Sequence, residues 1–155
     1  MKKIKTFIAA ALLLTAFAAC DKVPINGPLD GQWQMMRIET PDSVRDAKPL
    51  HAYLCFQLHL SEWNSEGHRY YAEFSHDGDS LLFWHFAHHS LHRTQADNNE
   101  WMTAAELAGG TEDNPDGLLD RWGIHSLEAR FRVLTLNSST LVLERNDTVL
   151  HLRKF

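Results

Sequence analysis

The sequence predicts an all-β domain made of short antiparallel strands. Apolar and polar residues alternate from residue 52 to residue 60, which is the clearest period-two pattern in the chain. The pair Asp77-Gly78 separates two apolar runs and is a strong hairpin signal. Three strand-like segments with short polar turns between them end the chain. Strands at such short spacing indicate either a sandwich or a barrel.

Composition and charge exclude several other classes of protein. A chain of 155 residues with 44% hydrophobic and 23% charged residues is ordinary for one globular domain. Its formal net charge of −5 gives no electrostatic reason to bind nucleic acid, whose phosphates need a basic surface. We therefore expect no nucleic-acid partner. Two cysteines are too few for a disulfide scaffold.

The first twenty residues are typical of an export signal. Lys2, Lys3 and Lys5 precede an apolar run over residues 6–17. This run is too short to span ~30 Å of hydrocarbon as a helix, and it matches the core of a secretory signal. The tetrapeptide FAAC, which ends at Cys20, resembles the lipobox of bacterial lipoproteins, although phenylalanine stands where leucine is usual. In such proteins the signal is removed before the cysteine, which then carries lipid.

The lipobox resemblance implies a signal peptide over residues 1–19 and a lipidated Cys20. The segment up to residue 29 holds two prolines, a glycine and no periodicity, so we expect a tether there and one domain over residues 30–155. Ordinary cleavage near Ala19 and an uncleaved anchor are the alternatives. Loss of the signal removes three lysines and no acidic residue, so the net charge falls from −5 to −8. We expect a lipid-anchored protein of the cell envelope, at the periplasmic or surface face of the outer membrane. The inner membrane stays open as the alternative, because Asp21 after the lipidated position resembles an inner-membrane retention signal.

Seven strands are expected in the domain. The first contains Trp33 and Met35 alternating with glutamines, and the last three form a meander with turns rich in Asn, Ser and Asp. The expected strands cover residues 31–39, 52–60, 69–75, 80–87, 127–137, 140–145 and 148–155.

A long insertion precedes the last three strands, over residues 93–124. Thr103 followed by Glu106 is a capping box for a short helix over residues 103–108, which Gly109-Gly110 would end. An insertion of this length in a compact β domain is typical of a lid or binding loop. It would equally serve as a plug that closes one end of a barrel.

The first strand carries the residues that distinguish a barrel from a sandwich. Gly31, Gln32 and Trp33 within LDGQWQM resemble the G-x-W sequence of lipocalins. In that family the tryptophan closes the narrow end of an eight-stranded up-and-down barrel, and an arginine from the last strand region packs across it. The resemblance assigns this part to Arg153 or Arg145. With the lipobox, the proline-containing tether and the C-terminal LxLRKF strand, the chain resembles small lipocalin-like lipoproteins of Bacteroides-type bacteria.

Three features depart from the lipocalin pattern. Seven strands are counted instead of eight, the helix precedes the last three strands instead of following them, and the later lipocalin motifs are absent. A β-sandwich therefore stays open as the alternative architecture.

The resemblance implies a small hydrophobic ligand inside the barrel. Aromatic residues of the strands are the candidates to line it: Trp33, Phe56, Tyr70, Phe74, Phe83, Trp84 and Phe131. If the barrel is closed, the same rings fill it, because eight strands leave room for little more than side chains. The alternative is then a structural or interaction lipoprotein that docks a protein partner through its surface or the 93–124 loop, where Trp101 and Trp122 lie.

Four histidines fall within eight positions, at His85, His88, His89 and His92. On a helix they would share one face and suit zinc or copper. On a strand they separate, and the preceding LLFWHF favours a strand. We expect no metal site, and His88 and His92, which fall where a turn or short helix could begin, are the weak candidates.

Motifs for catalysis are lacking. Cys55 and His59 would lie ~13 Å apart along one strand, far beyond the hydrogen-bond distance a nucleophile and its base need. We read Cys55 as a small apolar residue, with a disulfide-linked dimer as the alternative. No nucleophile elbow, H-E-x-x-H sequence or phosphate-binding glycine loop is present. We therefore expect a non-enzymatic protein without a cofactor.

Overall fold

The computed structural model describes residues 24–65, 68–88 and 119–155. The expected signal peptide, Cys20 and the expected helix at 103–108 lie outside the described residues, as do Trp101 and His92.

Nine antiparallel strands make up the described part of the chain, and eight of them close into a barrel. Each barrel strand pairs with the next, and the last pairs back with the first, which confirms the predicted up-and-down barrel. The ninth strand, β2, pairs with the second half of β1, beyond the residues of β1 that pair with β3. The strands are β1 (Gly31–Thr40), β2 (Ser43–Asp46), β3 (Tyr53–Gln57), β4 (Leu60–Ser65), β5 (His68–Asp77), β6 (Ser80–His88), β7 (Glu128–Leu136), β8 (Thr140–Arg145) and β9 (Thr148–Lys154).

The expected count of seven strands is wrong, because β2 and β4 were missed. The alternating segment 52–60 is not one strand: the chain turns at Leu58, whose φ of 56° lies in the left-handed region. The alternation continues across this turn, so its period could not locate the break. β4 was hidden because two of its inward residues are serines, Ser61 and Ser65. All four residues of β2 are exposed, so β2 has no apolar pattern.

The up-and-down order gives the barrel two distinct ends. The tether end holds the start of β1, the end of β9 and the turns that follow β3, β5 and β7. The loop end holds the β1–β2 hairpin, the β8–β9 turn and the long connection from β6 to β7. The expected insertion at 93–124 belongs to that connection, of which residues 119–127 are described.

Aromatic rings fill the interior between these ends. Trp63 packs edge-on against Phe83 with 4.7 Å between ring centroids, and Phe56 packs in the same way against Phe74 at 5.0 Å. Such edge-to-face pairs are the favourable arrangement for aromatic side chains. Buried leucines and a methionine from the surrounding strands complete the core.

A β-bulge in β6 decides which of its side chains enter the barrel. His85 has a φ of 52°, and the register between β5 and β6 shifts beside it. Simple alternation from Phe83 would place His85 inside and Phe86 outside. The bulge reverses this, so His85 is exposed and Phe86 is buried. β6 continues as a strand to His88, so His85 and His88 lack the helical spacing that would place them on one face, and His89 lies outside the described residues.

Candidate functional site

The tether end of the barrel is closed by a tryptophan and a lysine. Trp33 is fully buried, and its Nε1 donates a hydrogen bond of 2.7 Å to the carbonyl oxygen of Leu29 in the 3₁₀ turn before β1. The Lys154 Nζ lies 4.4 Å from the centroid of the Trp33 ring. It also donates to the carbonyl oxygens of Pro28, at 2.7 Å, and Asp30. This cation thus covers the ring and holds the turn in place.

Lys154 takes the place that the resemblance assigned to Arg153 or Arg145. Side chains alternate along a strand, so Lys154 lies on the same side as the buried Leu152, and Arg153 points outward. The Arg153 guanidinium donates to Gln34 Oε1 at 3.2 Å on the outer surface. Burial lowers the pKa of Lys154, while Asp30 raises it.

The glycine of the G-x-W sequence makes room for this lysine. Gly31 has a φ of 109°, which L side chains rarely adopt. A Cβ at Gly31 would lie 3.2 Å from Lys154 Cε. Backbone conformation and close approach therefore both require glycine here.

Six of the seven aromatic residues expected to line the barrel do face its interior. They are buried and in contact with the common core: Trp33, Phe56, Tyr70, Phe74, Phe83 and Phe131. Trp84 lies outside, because it follows the inward-facing Phe83, and its Nε1 donates to Glu73 Oε2 at 2.8 Å. The inward rings pack on one another, as in the 5.8 Å contact between Phe83 and Phe131.

The end of the long connection packs into the loop end of the barrel. Leu119, Trp122 and Ile124 are buried there, around a 3₁₀ turn at Asp120–Trp122. The Trp122 ring lies edge-on to Trp63 with 4.9 Å between centroids. This described part of the insertion matches the alternative in which the insertion plugs the barrel. Because the segment has no strand or helix period, its sequence could not decide between a plug and a lid or binding loop.

Trp122 differs from the other described tryptophans in its hydrogen bonding. The Nε1 of Trp63 donates to Ser61 Oγ at 3.1 Å, and the indoles of Trp33 and Trp84 are also paired. The Nε1 of Trp122 is buried and has no hydrogen-bond partner within the described parts of the chain. Because buried polar groups are nearly always paired, this N–H marks a place for an acceptor.

Arg145 brings a second buried donor to the loop end. It shares the inward face of β8 with the buried Leu143, and its guanidinium carbon lies 5.9 Å from the centroid of the Phe131 ring. Its Nη2 donates to Ser126 Oγ at 3.2 Å. Its Nε is buried and has no partner in the described ranges, and burial lowers the pKa of Arg145.

Trp122 and Arg145 approach the same part of the core. Trp122 packs on Trp63 and Arg145 packs on Phe131, and these two partner rings are 6.2 Å apart. The loop end therefore combines apolar rings with two donors that have no acceptor among the described residues. This combination suits an apolar ligand that carries one polar acceptor group.

Neither the described histidines nor Cys55 belong to a group of side chains that could hold a metal ion. His85 Nδ1 lies 3.3 Å from Glu73 Oε2 on the outside of the barrel. Among the residues that the structure describes, no three or more histidine, cysteine or acidic side chains could hold one metal ion. Burial, together with Glu62, raises the pKa of the Cys55 thiol to about 11. His59 lies in the turn after β3.

An apolar groove of about 720 Å³ lies at the tether end, outside the barrel. It runs between the tether and the ends of β1 and β3, and is lined by Pro24, Ile25, Asp30, Gly31, Gln32, Cys55, Phe56, Gln57 and Leu58.

Within the described ranges, no helix is long and apolar enough to cross a membrane.

The fold and its closed end define the class of protein. It is a closed up-and-down β-barrel, sealed by a tryptophan of the first strand under a basic residue of the last. The model of the lipocalin-like domain family matches residues 12–155, and the chain belongs to that family. The lipocalin-like barrel suggests binding of a small ligand.

Solved structures resemble this chain in fold. A lipocalin-like protein from Bacteroides uniformis aligns with a TM-score of 0.56 and 16% sequence identity, over 83% of this chain and 100% of its own. An uncharacterized protein from Bacteroides eggerthii aligns with a TM-score of 0.54 and 17% identity, over 82% of this chain and 99% of its own. At such low identity the likeness concerns the fold alone. No curated protein matches the sequence.

Proposed function

We propose that this protein is a lipid-anchored, lipocalin-like binding protein of the cell envelope, at the outer membrane, and that it is not an enzyme. Its ligand is a small, mainly apolar molecule with a hydrogen-bond acceptor such as a carbonyl or carboxylate. The ligand binds at the loop end of the barrel. The observation that carries this proposal is the buried Nε1 of Trp122 without a partner in the described residues.

The energetics of an unpaired donor support a ligand here. A buried N–H that lacks an acceptor costs about 1–3 kcal/mol, and the Nε of Arg145 is a second buried donor without a partner in the part of the chain that the structure describes. A ligand that accepts from both would remove this cost. Its apolar part would lie against Leu119 and Ile124, which are buried at the same end.

The lipid anchor is supported by the lipobox resemblance at Cys20. Mass spectrometry of the N-terminal peptide from the membrane-extracted protein tests it. We expect a peptide that begins at Cys20 and carries the mass of attached acyl chains. An unmodified peptide that begins elsewhere would contradict the anchor.

Native mass spectrometry of the detergent-extracted mature protein tests the ligand. We expect an additional mass of small-molecule size that disappears on denaturation. Trp122→Phe keeps an aromatic ring but removes the donor, so it should lower the bound fraction. The matched control is Trp84→Phe, which removes an indole on the outside of the barrel and should leave binding unchanged. Equal loss in both variants would contradict the assignment of Trp122.

A filled-barrel interaction protein is the second candidate. The observation in its favour is the aromatic packing around Trp63, with Phe83 at 4.7 Å and Trp122 at 4.9 Å, which occupies the centre of the barrel. Such a protein would dock a protein partner through its surface or the 93–124 loop. A wild-type mass that equals the polypeptide with its N-terminal modification alone would favour this candidate over a ligand-binding one.

A further inference from the structure

Exposed apolar side chains gather around the groove at the tether end. Ile25, Leu58 and Leu60 are 63%, 56% and 52% exposed, and we name these three residues the tether-end patch. Ile25 and Leu58 line the groove itself, and Leu60 begins β4 directly after the same turn. The exposed Phe155 ends the chain at this end of the barrel, with its ring edge-on to Tyr53. Grouped apolar side chains on a surface mark interaction sites.

Leu58 occupies a backbone position that disfavours leucine. Its φ of 56° is left-handed, and two-residue hairpin turns usually place Gly, Asn or Asp in that conformation. A polar residue at this turn would suit both the backbone and the solvent. An exposed leucine therefore points to a requirement for its apolar side chain.

The tether is fixed against this turn. Asn26 Nδ2 donates to the carbonyl oxygen of Leu58 at 2.9 Å and to Asp30 Oδ1 at 2.5 Å. The backbone N–H of Gly27 donates to the carbonyl oxygen of Pro24 at 3.0 Å. From Pro24 onward the tether is thus held against the β3–β4 hairpin by hydrogen bonds.

The length of the remaining chain places the patch beside the anchor. Four peptide steps separate Cys20 from Pro24, and a fully extended chain spans at most about 3.5 Å per residue. The two Cα atoms are therefore within about 14 Å of each other. A lipid on Cys20 would bring the tether end of the barrel against the membrane surface.

We propose that the tether-end patch is a membrane-contact surface that lies on the apolar boundary of the bilayer holding the anchor. This inference rests on the proposed lipidation of Cys20. The barrel then stands end-on to the membrane, with the groove facing the lipid. Its loop end, with Trp122 and Arg145, faces the aqueous compartment.

The contact is apolar rather than electrostatic. The turn between β5 and β6 lies at the same end and carries Asp77 and Asp79, which anionic lipid would repel. Burial of apolar area is insensitive to screening, whereas attraction between charges weakens in salt. High salt should therefore leave the contact intact.

Site-specific fluorophores on the lipidated mature protein test the proposal. Leu60→Cys carries a polarity-sensitive label at the patch, and Val44→Cys carries the same label on β2 at the loop end, where Val44 is 68% exposed. The raised pKa of Cys55, about 11, keeps that thiol protonated during labelling near neutral pH. Both proteins are reconstituted into phosphatidylethanolamine–phosphatidylglycerol vesicles with nitroxide-labelled acyl chains and floated.

The proposal predicts a blue shift and quenching of the Leu60 label, and neither for the Val44 label. Adding Ile25→Ser and Leu58→Asn to the Leu60→Cys protein should reverse the shift without preventing flotation. A floating protein whose two labels both report water would overturn the membrane contact and leave the anchor standing. Failure of both labelled proteins to float would overturn the anchor and the contact together.

Discussion

The Lys154 ammonium group lies 4.4 Å from the centre of the Trp33 ring and donates to the carbonyl oxygens of Pro28 and Asp30. One side chain of the last strand thereby holds the first strand and the turn that precedes it. Because β1 and β9 also form the pairing that closes the barrel, this contact lies at the closure of the whole sheet. The seal depends on a single cation and on the space left for it at Gly31.

Removal of this cation should destabilise the protein. Lys154→Met keeps the length of the side chain but loses the cation–π contact and two hydrogen bonds, so we expect the free energy of unfolding to fall by about 1–3 kcal/mol. Urea denaturation followed by tryptophan fluorescence measures this. Arg153→Met removes only a surface hydrogen bond to Gln34 and should cost less than about 0.5 kcal/mol. Equal effects would mean that Lys154 does not seal the barrel.

A methyl group at Gly31 should also be costly. Gly31→Ala combines a φ of 109° with a Cβ 3.2 Å from Lys154 Cε, and strained backbone conformations cost about 1–3 kcal/mol. The control is Gly78→Asn, at a turn with a φ of 57° and open space around the added Cβ, where asparagine is tolerated. Thermal unfolding of both variants would show a lower midpoint for the first alone. A tolerated Gly31→Ala would disprove the close approach to Lys154.

The sequence predicted which end of the barrel is closed and that Trp33 closes it, but it did not predict that Lys154 covers the tryptophan ring. Gly31 and Trp33 were recognisable because a three-residue pattern fixes both, and both lie where the pattern implies. Lys154 was missed because the resemblance specifies an arginine. Which of Arg153 and Lys154 faces inward depends on the register of β9, and a shift of one residue exchanges the two faces. Arg145, the other arginine named, lies at the opposite end on Phe131.

Backbone conformations that break the alternation could not be read from the sequence. Leu58 and His85 both have positive φ values. Leucine rarely adopts them, and histidine adopts them more often than most residues but does not require them. The turn at Leu58 divides one expected strand into two. The bulge at His85 places the side chain of Phe86 inside the barrel, where simple alternation would place it outside. The candidate ligand site could not be predicted for a related reason. Trp122 reaches the core from an irregular segment, and only the three-dimensional structure shows that its Nε1 has no acceptor among the described residues.

Two buried tryptophans differ in the hydrogen bonding of their indole N–H groups, and replacing each with phenylalanine should show the difference in stability. Trp122→Phe and Trp63→Phe remove a similar volume from the core. Of the hydrogen bonds among described residues, the second breaks one, to Ser61, and the first breaks none. We expect Trp63→Phe to be more destabilising by about 1–3 kcal/mol in ligand-free protein, because the Trp122 variant removes an unpaired donor. Chemical denaturation after ligand removal measures the difference, and a larger loss for Trp122→Phe would refute it.

Cys55 should resist alkylation in the folded protein. Burial, with a smaller contribution from Glu62, raises its pKa from 9.0 to about 11, so its thiolate fraction near neutral pH is about 100-fold below that of the unfolded chain. The native state holds this proton more tightly. Its contribution to stability is therefore complete below pH 9.0 and is lost as the pH rises to about 11. Iodoacetamide labelling followed by mass spectrometry should show slow modification that accelerates over that range, and guanidinium-unfolded protein is the control. Equal rates in folded and unfolded protein would disagree with the burial of this thiol.

Leu58→Asn should separate the effect of this residue on the stability of the turn from its contribution to the proposed membrane contact. Asparagine adopts positive φ more readily than leucine, so the variant should gain about 1 kcal/mol in free energy of unfolding while it loses part of the proposed membrane contact. Leu60→Thr is the matched control: it removes a neighbouring exposed leucine from a position without positive φ, and should weaken the contact without stabilising the fold. Thermal unfolding and vesicle quenching are measured on the same samples. A destabilised Leu58→Asn protein would show that the leucine stabilises the turn. The presence of leucine at this position would then be explained without a membrane contact.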